Sequence, residues 1–132
     1  MAGLRLTIIA TISYLAGCAT ESIVPPSGSM TFATHCSSCH GRRGEGDGPV
    51  AQVMTIDVPN LRALSQRNGG EFPATAVASY IDGRNLPASH GDRTMPIWGD
   101  VFDATTRVVS GAESAQARID SVVEYLREIQ YR

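Results

Sequence analysis

The sequence predicts an all-α fold, and three observations carry that expectation. Near the C-terminal end Ala115, Ile119, Val122, Val123, Leu126 and Ile129 recur at helical spacing, while Arg118, Asp120, Glu124, Arg127 and Glu128 occupy the other faces and Tyr125 adds an aromatic edge. Earlier, Gly28, Phe32 and Cys36 repeat every four residues and so line one helix face. No βαβ alternation interrupts these patterns, and Val108-Val109 is too short for a strand. Three to five helices are expected.

The elements follow in order. Ser27, placed after Pro25-Pro26, is a suitable N-cap for a first helix that runs to about Cys39. Gly28 inside that helix costs about 1 kcal/mol against Ala, which predicts close contact with another helix. Gly41 to Gly48 is a polar, glycine-rich loop. It lacks the Gly-Lys-Ser/Thr ending of a phosphate loop, follows no strand, and carries Glu45 and Asp47, which would repel phosphate. A second short helix is expected over Leu61 to Arg67, after Pro59-Asn60, with Gly69 ending it. A third opens at Pro73, passes through Val77, Tyr80 and Ile81, and stops at Gly83. Arg84 to Thr94 reads as loop, and Gly99 to Ser110 shows no clear pattern. Ser110-Gly111-Ala112-Glu113 has the capping-box arrangement and is expected to start the last helix. There is no internal repeat.

Composition bounds the function. A chain of 132 residues makes one small domain. The net charge of −2 carries no nucleic-acid footprint, and the basic residues, all Arg, read as a compositional bias. The start is different in kind. Met1 to Arg5 has one positive charge, Leu6 to Ala16 is mostly apolar and short for a bilayer, and the run ends in Leu15-Ala16-Gly17-Cys18. This resembles a bacterial lipoprotein signal, in which the cysteine takes a lipid and becomes the new N-terminus. The expected division is signal peptide 1–17, lipidated Cys18 and tether 18–27, and folded domain 28–132. The nine residues after Cys18 reach at most about 30 Å, so the domain would stay near a membrane surface. Ala19 rather than Asp follows the cysteine, which permits outer-membrane sorting.

Cys36-Ser37-Ser38-Cys39-His40 carries the chemistry. C-x-x-C-H is the attachment signature of a c-type haem: two thiols bond the porphyrin and the next His binds iron. On a helix these three side chains share a face of roughly 100°. With Cys18 lipidated, no thiol is left over. A thioredoxin-like pair would open a helix after a strand, whereas this one closes a helix. A structural zinc site would need four ligands; His35 and His90 could be recruited, but there is no second Cys pair.

Beyond the motif, the chain resembles a class I c-type cytochrome over roughly residues 27 to 132. Gly28-x-x-x-Phe32-x-x-x-Cys36 resembles the family's N-terminal helix, and Val123-Glu124-Tyr125-Leu126 its C-terminal helix. Thr94-Met95-Pro96-Ile97-Trp98-Gly99 resembles the loop that supplies an axial methionine, and His40 to Ala51 is typical of bacterial members. The resemblance implies crossing terminal helices around one covalent haem c, with Cys36 and Cys39 attaching it and His40 and Met95 as axial ligands. Pro96 also restricts the backbone of Met95. Met54 and His90 compete for the second axial position, His90 giving a bis-His haem of lower potential; Met30 lies on the attachment helix itself. His35 is expected at the surface. The family orients its axial His with a proline carbonyl, for which Pro49 is the candidate and Pro59 the alternative. Trp98 would pack on the haem edge, donate to a propionate or fill the core. Arg42 and Arg43 could greet an acidic partner, with a solvated loop as the default.

The expected function is one-electron transfer, without a catalytic residue or small-molecule substrate. The partners would be membrane-associated redox proteins outside the cytoplasmic membrane, and the anchor would face the periplasm. The alternatives are a haem enzyme or gas sensor with an open sixth position, or a subunit docked permanently in an oxidase or dehydrogenase.

Overall fold

A computed structural model describes residues 27–86, 94–109 and 111–132. Among these residues are six α-helical elements, more than the three to five expected because the first expected helix divides at Cys36 and the unpatterned stretch is helical: α1 (Gly28–His35), α2 (Ser37–His40), α3 (Leu64–Arg67), α4 (Ala74–Asp82), α5 (Trp98–Val108) and α6 (Ala115–Glu128). Two single 3₁₀ turns, Ala51–Val53 and Leu61–Ala63, complete the secondary structure, and there is no strand among the described residues. No helix among them is long and apolar enough to cross a membrane.

The helix ends explain where the chain turns. Ser27 caps α1, its hydroxyl accepting from the N–H of Met30 at 3.3 Å. The first helix divides at Cys36, where φ widens to −112° (ψ −33°) within the right-handed region, and α2 starts at Ser37. The expected helix over Leu61 to Arg67 is half 3₁₀ and half α, because Asn60 Oδ1 accepts the N–H of Arg62 at 2.9 Å and tightens the first turn. Gly83, at φ 74°, ends α4 in the left-handed region that Gly enters without steric cost.

Two expectations are corrected. The last helix begins at Ala115, capped by Ser114, whose hydroxyl accepts from the N–H of Ala117 at 3.1 Å. Ser110 lies outside the described residues, and Glu113 stands before the helix, its carbonyl accepting from Thr106 Oγ1 at 2.9 Å. The stretch without a clear pattern is largely a helix, α5. Its Gly and β-branched Val and Thr residues have low helix propensity. Moreover, its apolar side chains point two ways: Phe102 is buried, while Val101 and Val108 are exposed. Packing against α4 and α6 supplies what propensity does not.

α6 is the centre of the domain, with α1, α4 and α5 all packed against it. Phe32, Phe102, Ile119, Val122 and Leu126 are almost fully buried at these contacts. Gly28 permits the α1–α6 crossing: a Cβ there would collide with the carbonyl oxygen of Ser121 and lie 2.5 Å from its carbon. Beside that point the Phe32 and Tyr125 rings meet with centroids 5.2 Å apart. Arg84 links the end of α4 to α5 through Asp82 and Asp103.

Candidate haem site

The last turn of α1 and the short α2 carry the C-x-x-C-H residues. The break at Cys36 does not interrupt the hydrogen-bonded path, since Cys36 donates to Phe32 O and His40 donates to Cys36 O, both at 2.9 Å. Cys36, Cys39 and His40 therefore line one cavity of about 490 Å³. That volume falls within the roughly 300–1,000 Å³ of small-molecule and cofactor sites. Phe32, Val122 and Leu126 from the α1–α6 crossing form part of its wall; Leu61, Leu64, Val77 and Ile81 form another. The lining is overwhelmingly apolar.

Burial sets the electrostatics of the site. Cys36 and Cys39 are not joined in a disulfide. Burial, with Cys39 beside it, pushes the Cys36 thiol up to about 12, so the unattached thiol is protonated at neutral pH. His40 is buried, and that burial holds its pKa below the usual value against the opposing effect of its hydrogen bond to the Pro59 carbonyl. The ring is neutral, the form in which imidazole ligates a metal.

The carbonyl that faces His40 Nδ1, at 3.4 Å, belongs to Pro59. Pro49, the preferred candidate from the sequence, is exposed and does not approach that ring nitrogen. Its segment turns to the backbone of α2 instead: Gly48 donates to Cys39 O at 3.2 Å and Val50 to Ser38 O at 2.9 Å. Pro59 is brought in by the close approach of two loops. Leu61 donates to Gly44 O at 2.7 Å, Gly46 donates to His40 O at 2.8 Å, and a Cβ on Gly46 would collide with Val58 O and lie 3.3 Å from Pro59 C.

The other expected residues divide. Met95 is half-buried, packs against the core and lines the cavity with Thr94 and Pro96. Met54 lines it as well, whereas Met30 is 60% exposed and does not. Trp98 lines the cavity and packs on His35 and Phe102, with centroids at 5.3 and 5.6 Å. His35, expected at the surface, is half-buried. It lines the cavity, meets Phe102 edge-on at 5.5 Å, and its pKa is lowered by burial and by the charge of Arg118. Arg42 and Arg43 are exposed, Arg43 pairing with Glu45 at 2.8 Å. Cys18 and His90 lie outside the described residues.

The sequence reading missed the polar cluster behind Pro59, formed by Glu45, Asn60, Arg62, Gln130 and Tyr131. Its hydrogen bonds join residues as many as 71 positions apart, and only the Pro59-Asn60 pair carries a local turn signal.

The donor set fits haem on its own terms: two free thiols, a neutral buried imidazole and two thioethers face a single apolar cavity. Fold and site together define a c-type cytochrome, an all-α domain that holds haem through its own cysteines. The comparison of families agrees, since the Cytochrome c model matches residues 27–130, and the chain belongs to that family. Its members bind haem c covalently and transfer electrons through it. No characterised protein and no solved structure gives a match.

Proposed function

We propose that this chain is a lipid-anchored electron carrier with one haem, held by Cys36 and Cys39 and ligated by His40 and Met95. The observation that supports this most is the presence of Met95 in the cavity that also receives Cys36, Cys39 and His40. Bound haem supplies a one-electron iron couple. The two thiols would each add across a vinyl group and hold it permanently. His40 presents a neutral imidazole, and the Pro59 carbonyl holds the ring and raises its basicity. Met95 adds a soft thioether, which favours the reduced state and raises the potential. With His40 and Met95 both held to the iron, no position would be left open for a substrate. The apolar wall of Phe32, Val77, Ile81 and Leu126 excludes water.

Residues 1–17 act as the signal peptide in this reading, Cys18 carries the lipid, and the tether to residue 27 holds the domain 28–132 on the membrane face toward the periplasm. Tethering raises the effective concentration of the carrier beside membrane-bound redox partners. Met95→Ala should abolish the methionine–iron charge-transfer band and lower the potential. Met54 faces the same cavity, so Met54→Ala is the necessary control and should do neither; the reverse pattern would move the ligand to Met54. Rapid stoichiometric binding of carbon monoxide to the reduced wild type at neutral pH would refute the closed sixth position. Cys18→Ser should release the protein to the soluble fraction, and retention in membranes would overturn the anchor.

A further inference from the structure

Behind the Pro59 carbonyl is a polar assembly that the haem cavity does not use. Arg62 is its hub. Arg62 Nε donates to Ile129 O at 3.0 Å and Nη1 to Glu45 Oε1 at 3.0 Å, and the guanidinium lies 4.4 Å from the centre of the Tyr131 ring. Tyr131 returns the contact, its N–H donating to Arg62 O at 2.8 Å, while Asn60 Nδ2 donates to its hydroxyl at 3.3 Å. Gln130 Nε2 donates to Leu61 O at 2.8 Å. The guanidinium thus ties three separate pieces of chain together: the loop after His40, the segment carrying Pro59, and the segment that follows α6. Pro59 sits between them, and its carbonyl is directed at His40 Nδ1.

A single ion pair with Glu45 would need no such reach, because half-exposed pairs contribute only about 0–1 kcal/mol. Arg62 instead spends its forked donors on two fixed acceptors, Glu45 and a backbone carbonyl, which a flexible ammonium cannot match. We propose that Arg62 is a positioning residue for the axial imidazole: by clamping the Pro59 segment between Glu45 and Ile129–Tyr131, it sets the strength of the His40–Pro59 hydrogen bond and hence the potential of the haem. This rests on the reading of His40 as an iron ligand. A stronger bond from Nδ1–H makes the imidazole a better donor and favours oxidised iron. Loosening the clamp therefore raises the potential.

The test uses the haem-loaded protein with Arg62→Lys, which keeps the charge and loses the fork, and Arg62→Met, which loses both. Two properties are measured: the midpoint potential, and solvent exchange of the His40 Nδ1 proton in the iron-shifted proton spectrum. Arg62→Lys should raise the potential and speed that exchange several-fold. Loss of a positive charge alone acts in the opposite direction, so a potential that falls in Arg62→Met and is unchanged in Arg62→Lys overturns the proposal. So does lower thermal stability with potential and exchange both unaltered, the mark of a purely structural role. If Arg62→Met does not load haem, Tyr131→Leu removes the ring from the clamp and should shift potential and exchange in the same directions as Arg62→Lys. A wild type without any iron-shifted His40 ring signal refutes the ligand reading itself, a failure separate from that of the clamp.

Discussion

Replacing Gly28 by Ala tests the helix crossing on which the cavity depends. The added methyl would collide with the Ser121 carbonyl oxygen and stand 2.5 Å from Ser121 C and 3.1 Å from Tyr125 Cβ. The first two are backbone atoms of α6, so no rotamer change relieves the clash, and the helices must separate. Overpacking of this kind costs about 1–3 kcal/mol and occasionally more. Separation also loosens the Phe32–Tyr125 contact at 5.2 Å, a pair interaction of about 0.5–1.5 kcal/mol. Against this, Ala gains up to about 1 kcal/mol in helix propensity over Gly. The net expectation is a loss of about 2 kcal/mol, within a span of about 0.5–3.5 kcal/mol. For a domain of roughly 100 residues the central value lowers Tm by about 10 °C. Guanidinium and thermal unfolding of the haem-loaded protein, followed by far-ultraviolet circular dichroism and haem absorbance, measure it. Stability within about 0.5 kcal/mol of wild type, the range of ordinary surface changes, would refute the argument that backbone contact at Gly28 sets the crossing.

Two further predictions separate other causes. Gly69 has φ 68° and nothing within 4 Å of a built Cβ, so Gly69→Ala should cost only the left-handed backbone penalty, about 1 kcal/mol, with the haem spectrum unchanged; a loss as large as that of Gly28→Ala would show an unrecognised contact. His35 has its pKa lowered by burial and then by Arg118, so below its unfolded value of about 6.5 the unfolded chain binds more protons than the folded one, and stability falls as the pH drops through that window. His35→Phe keeps an aromatic ring beside Trp98 and Phe102 and should make the denaturation midpoint fall less steeply as the pH drops below about 6.5, the remaining slope belonging to His40, whose pKa is lowered as well. A profile parallel to that of wild type would refute the assignment.

Much of the site was legible locally. The C-x-x-C-H spacing is a property of five consecutive residues, and the helix around it needs only Ser27 as a cap and a four-residue apolar repeat. The course of α6 was equally plain because Ile119, Val122, Val123 and Leu126 face inward while Asp120, Glu124, Arg127 and Glu128 stay exposed; Arg118, expected among those outer charges, is instead buried with its guanidinium 5.1 Å from the centre of the Phe102 ring. Its start was misplaced because two serines four residues apart can each cap a helix, and the one that does, Ser114, is chosen by where α6 meets α1 and α5. α5 was illegible for the opposite reason: nothing local favours a helix there, and its order comes from the surfaces it covers.

By itself the sequence determined the chemistry of the site: which thiols, which imidazole and which thioethers the chain can offer, and the helical spacing that places the thiols and the imidazole on one side. Only the tertiary structure decided how those groups are oriented. Pro49 and Pro59 are equivalent on paper, since each is a proline carbonyl beyond the same histidine. Pro59 faces His40 because Arg62, Asn60, Gln130 and Tyr131 close contacts across as many as 71 positions. Such contacts have no period and no spacing to read. They exist once α6 has packed across α1, and Gly28 is the residue that allows that packing.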